Sequence, residues 1–193
     1  MARGQDAAWR SCPRRLRQLF PAFRVQWRNA GNIMQKSTAA MVAGVTAVGA
    51  LLGGSRFNPG PQHPATAAWY AHLEKPDFTP PGPVFGIAWT ALDGLLAYTG
   101  YRLLSRQPSG KRRLALGAWV LTLFGLPAFQ WRFFGARQAD EALGVSATML
   151  ASAAGLAAAS ARVDRKASVA SVPLIGWLIF ATILQEEVWR RNR

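Results

Sequence analysis

Polar and apolar positions along this chain are segregated into long blocks. Nineteen uncharged residues separate Lys36 from Arg56, 18 separate Arg113 from Arg132, 20 separate Glu141 from Arg162, and 19 separate Lys166 from Glu186. A helix rises about 1.5 Å per residue, so each block spans roughly 27 to 30 Å, close to the hydrocarbon thickness of a bilayer. A fifth block, Pro83 to Tyr101, carries no charge except Asp93 and is dense in Val, Phe, Ile, Trp, Leu and Tyr. The pattern predicts an all-α integral membrane protein, a five-transmembrane-helix bundle with spans near 37–55, 83–103, 114–131, 142–161 and 168–188. An odd number of spans places the two termini on opposite faces.

Composition alone is ambiguous: 193 residues, 50% hydrophobic and a net charge of +14 also describe a basic nucleic-acid binder with a large core. The location of the charge decides against that reading. The segment up to Lys36 carries eight basic residues and Asp6, net +7, the Arg102–Arg113 loop +5, and the Arg162–Lys166 loop +2. All three fall on one face of the predicted bundle. On the other face, Arg56 and Lys75 balance Glu74 and Asp77, Arg132 and Arg137 balance Asp140 and Glu141, and the tail from Glu186 is +1. Basic loops mark the cytoplasmic or equivalent side, so the N-terminus is expected there.

The organisation expected is a basic extension over residues 1–36 and a membrane domain over 37–192. The extension has seven Arg with Trp9, Leu16, Leu19, Phe20, Phe23 and Trp27 among them, and lacks the apolar core of a secretory signal. It reads as a transit segment, a lipid-surface segment or a disordered one, and Pro13 and Pro21 keep any helix in it short. The single cysteine, Cys12, can build neither a disulfide framework nor a thiolate metal site. His63 and His72 lie in the first loop without a partner at ligand spacing, and there is no phosphate loop or nucleotide fingerprint. Gly49 and Gly53, and the stripe Ala147, Ala151, Gly155 and Ala159, offer close helix approach, within the bundle or at a dimer face.

The densest motif is WYAHLEKPDFTPPGPVFGIAWTALD, from Trp69 to Asp93. Its prolines predict a non-helical strap capping the bundle, followed by a helix starting near Pro83. The segment closely resembles the tryptophan-rich sensory protein and translocator protein (TspO/MBR) family, whose pattern here is W, Y, L, K, P, an aromatic, P, P and a later W. Residues 173–192, PLIGWLIFATILQEEVWRRN, resemble the final helix of the same family. The resemblance covers residues 37–192. It implies a five-helix bundle, often dimeric, whose pocket binds tetrapyrroles such as protoporphyrin IX or haem and, in some members, cholesterol.

Carried over residue by residue, the resemblance implies a ligand site of Phe85, Trp89 and Asp93 on the second span and Trp177, Ala181 and Gln185 on the fifth. Trp69, Lys75, Pro76, Phe78, Pro80 and Pro81 match the closing loop. Each helical set repeats every four residues, so each is expected along one face. Without the resemblance, these tryptophans read as packing or headgroup-belt residues. His72 is a candidate haem ligand; no catalytic residue, metal site or required cofactor is expected. The sequence departs from the family at Asp93, where Tyr is usual, at Leu174, Gln185 and Glu186, and in LPAFQWRFFGAR, where Pro127 is expected to kink or end the third span. The implied function is a membrane receptor or carrier for a tetrapyrrole or sterol-like ligand, in porphyrin or lipid trafficking or stress sensing. The alternatives are light-dependent porphyrin breakdown and a scaffold for partner proteins. Expected partners are the ligand, the bilayer and a second copy of the chain rather than nucleic acid, in an organellar, for example mitochondrial, or a bacterial membrane.

Overall fold

A computed structural model describes residues 34–193; the expectations for the basic extension, including Trp9, Cys12 and Trp27, lie outside the described residues. The described chain is helical: α1 (Lys36–Ser55), α2 (Pro64–His72), α3 (Gly82–Leu104), α4 (Gly110–Gln130), a π-helical turn (Trp131–Gly135), α5 (Ala139–Ala161) and α6 (Arg165–Arg191). Helix starts follow local chemistry. Pro64 and Pro83 sit in first turns, where a missing N–H costs nothing. Ser109 accepts from the Arg112 N–H at the start of α4, and Asp164 accepts from the Lys166 and Ala167 N–H groups at the start of α6.

Two sequence expectations change here. Trp69 to His72 are helical, as the last turn of α2, so the proline-rich strap begins at Leu73. Pro127 does not end α4: the helix continues to Gln130 and widens into the π-helical turn. A proline removes one backbone donor, and the ladder absorbs the mismatch by adding a residue to a later turn.

The five long helices close into a ring in the order α1, α3, α6, α5, α4, with α4 packing back on α1. Its centre is built from small and aliphatic side chains: Ala39, Ala43, Ala47 and Ala50 line the inner face of α1, against Leu92 and Leu96 of α3 and Leu123 of α4. Hydroxyl pairs stitch neighbours together, Thr122 to Ser152 at 2.8 Å and Ser146 to Thr182 at 2.9 Å, and the Trp119 indole donates to the Leu96 carbonyl at 2.8 Å. Close approach falls at Gly100, where an added Cβ would meet the Trp119 ring at 2.4 Å. Gly49 and Gly53 meet nothing, and Ala147, Ala151 and Gly155 face out of the ring.

Outer faces are apolar: Ile87 is 73% exposed, Val45 68% and Leu114 67%. Four segments, α1, α4 with its π turn, α5 and α6, are long and apolar enough to cross a membrane. α3 matches them in length, but Asp93 with its Trp, Tyr, Thr and Gly residues lowers its apolarity.

Candidate functional site

The ring is tightly filled at the end holding residues 102–113 and 162–166 and hollow at the other. A cavity of about 470 Å³ lies at the hollow end, bounded by α1, the first loop, α2, the strap, α3, α4, the π turn, α5 and α6. Its wall is mostly aromatic and aliphatic: Phe85 and Trp89 of α3, Phe129, Phe133 and Phe134 from α4 and the π turn, Met149 of α5, and Leu178 and Leu184 of α6. Polar groups enter singly, from Asn58, Tyr70, Thr79, Thr90, Gln130, Ser146 and Gln185. Among the described residues, no charged side chain lines it. Such a chamber takes an apolar body and recognises it by shape and a few hydrogen bonds.

Four of the sequence-predicted site residues, Phe85, Trp89, Ala181 and Gln185, line this cavity. Asp93 lies one turn past its floor and is buried, with its Oδ2 lacking a hydrogen-bond partner among the described residues. Trp177 does not line the cavity. Its direction on α6 lies within about 20° of Leu184, seven residues on, which does line the cavity, so rotation alone does not exclude it and its ring is taken up by α3 instead. There its ring meets Phe85 edge-on at 5.8 Å and Trp89 at 6.3 Å, backing the cavity wall rather than forming it. Gln185 is anchored by its side-chain N–H to the Ala139 carbonyl at 3.0 Å.

The strap residues sit around the rim. Phe78 meets Phe180 edge-on at 6.3 Å, and Pro76 is buried. Of the strap, Thr79 reaches the cavity, while Lys75, Pro76, Phe78, Pro80 and Pro81 do not line it. The Lys75 ammonium lies 4.6 Å from the Tyr70 ring centre and donates to the Leu73 carbonyl, so it braces the strap. Trp69 packs on Phe133 at 5.5 Å, behind the wall. His72 is exposed, with its Nδ1 2.7 Å from the carbonyl of Ala68 in its own helix, away from the cavity. The strap is also held at its start: the Asn192 side chain accepts from the Glu74 N–H and donates to the Glu74 carbonyl, both at 2.9 Å, across 118 residues of sequence.

Several wall residues were not anticipated. Gln130, 8% exposed, donates to Asn58 Oδ1 at 2.9 Å, and its own Oε1 lies where a Cβ on Gly54 would stand, 1.5 Å from that position. A side chain at position 54 would therefore force the Gln130 amide out of this position. Tyr70 contributes its ring from α2, and burial pushes its phenol up, so the hydroxyl stays neutral. The available signal was the polar residue inside an apolar span: Gln130 and Ser146 interrupt blocks that otherwise read as lipid-facing.

A ring of apolar helices enclosing an aromatic chamber under a proline-rich strap defines a helical membrane protein with an internal ligand-sized cavity. Residues 40–190 match the TspO/MBR family. The chain is 34% identical over 146 residues to the translocator protein of Homo sapiens, covering 72% of this chain and 81% of the relative. It is 33% identical over 124 residues to the tryptophan-rich sensory protein of Cereibacter sphaeroides, with 64% and 77% covered. It is 34% identical over 126 residues to the tryptophan-rich protein TspO of Archaeoglobus fulgidus, with 64% and 80% covered. The chain belongs to the TspO/MBR family and is an integral membrane protein.

Proposed function

We propose that this protein is a membrane receptor or carrier that holds a tetrapyrrole, such as protoporphyrin IX or haem, or a sterol-like ligand in the cavity beneath the strap. The observation that supports the reading most directly is the chamber of about 470 Å³ with an aromatic, uncharged wall. That volume falls within the roughly 300–1,000 Å³ range of small-molecule sites. Flat or fused-ring apolar bodies suit Trp89, Phe129 and Phe133, and the absence of lining charge requires any ligand carboxylate to stay at the rim. With His72 outside the cavity, a bound macrocycle is held by stacking and burial rather than by a histidine on its metal.

Titration with protoporphyrin IX while following tryptophan fluorescence tests the reading. Saturable quenching is expected, weakened more than tenfold by Ala181→Phe, which fills the chamber, and unchanged by Ile87→Ala on the outer face. Non-saturable quenching, or an Ala181→Phe protein that binds normally, overturns it.

We further propose that α3 is a fifth span, that the N-terminus lies on the cytoplasmic or equivalent side, and that the cavity opens toward the opposite, near-neutral face.

A further inference from the structure

At the filled end of the ring, the α3–α4 and α5–α6 connections are drawn together by one buried acid. The Asp164 side chain, 1% exposed, accepts from Arg102 Nε at 3.0 Å and from Arg106 Nε at 2.6 Å, and pairs with the terminal nitrogens of both guanidinium groups. Arg112 donates to the last carbonyls of α3, at Leu103 and Leu104. Those contacts consume the acid and fix three arginines. They leave Lys111, Arg113, Arg162, Arg165 and Lys166 exposed, with no side-chain hydrogen bond or ion pair among the described residues. With Lys36 at the start of α1, nine basic residues and a single acid thus share this end of the described chain.

We propose that this surface binds anionic phospholipid headgroups, with the Asp164 clamp positioning the two loops side by side. The argument rests on charge complementarity and depth. The cations flank the first or last turns of the long helices, where headgroup phosphates sit, and the acid that would otherwise compete for them is sealed. The positive-inside bias accounts for an excess of charge on this face but not for a buried clamp that concentrates it. Each cation held near an anionic surface strengthens binding by about fivefold. The proposal is independent of the cavity and its ligand.

The test uses the full chain in a neutral detergent, with native mass spectrometry counting bound lipid. Dioleoylphosphatidylglycerol is expected to bind at least tenfold more tightly than dioleoylphosphatidylcholine. The preference should fall to within about twofold in a Lys111→Gln, Arg113→Gln, Lys166→Gln protein, and in part in an Arg162→Gln, Arg165→Gln protein. Among the described residues these side chains make no hydrogen bond or ion pair whose loss would unfold the bundle. Equal binding of the two lipids overturns the proposal. So does a triple variant that keeps the full preference, which would move binding to residues 1–36. Displacement of the lipid by an equal concentration of inorganic phosphate would show a simple anion site and overturn the assignment to lipid.

Discussion

Asp164 is the residue on which most separate interactions converge: two arginines and two backbone N–H groups at the start of α6. Burial alone would raise its carboxyl. The hydrogen bonds from Arg106, Arg102 and the Ala167 N–H more than offset this and hold it below the usual carboxylate range. A lowered native pKa contributes stability that is present above the ordinary carboxylate value and lost as pH falls through the lowered one. Asp164→Asn, which can still cap the helix, is therefore expected to cost about 2 kcal/mol at neutral pH, less than a fully buried pair because Arg106 is half exposed. Thermal unfolding of both proteins across pH should show a constant gap above about pH 4, closing below it. The sequence exposed Asp164 only as one acid in a basic loop. Its partners lie 58 and 62 residues away, and no periodicity links them.

At the scale of elements, the strap and the helix contacts make the sharpest demands. The Asn192 side chain ties the Glu74 backbone to the end of α6 through two hydrogen bonds. Asn192→Ala should raise amide hydrogen exchange in residues 73–81 by about tenfold, the loss of about 1–1.5 kcal/mol of local hydrogen bonding, with little change in α4 or α5. Uniform exchange in the two proteins would show that Phe78 and Pro76 hold the strap unaided. Glycine positions discriminate equally well. Gly100→Ala must displace the Trp119 ring and is expected to destabilise by about 1–3 kcal/mol, whereas Gly49→Ala meets nothing and gains helix propensity. Comparing the two melting temperatures checks this directly. The GxxxG spacing was legible in the sequence, but the glycine that meets a neighbour was not, because contact depends on which side of α1 and α3 the ring places inward.

At the largest scale, the described helices are polar along the ring axis, with cations at the filled end and the chamber at the near-neutral one. If α3 crosses the bilayer as proposed, the termini lie on opposite sides; with four crossings they share one. Protease protection of an N-terminal and a C-terminal tag in sealed vesicles should therefore give opposite results, with the N-terminal tag accessible from the cytoplasmic side. The block pattern of the sequence determined the helices and their approximate ends, because desolvating the backbone in lipid leaves a helix as the economical solution for an uncharged run of 18 to 20 residues. It also determined the charge asymmetry, which needs only counting, while the Trp and Pro motifs pointed to the family. Tertiary structure alone decided that Trp177 backs the wall while Phe129, Phe133 and Gln130 form it, and that Asn192 meets Glu74. The physical reason is common to all of these: which side chains form the wall, and which groups meet across the chain, is set by how the helices pack against their neighbours in the ring, which the spacing along one helix does not encode.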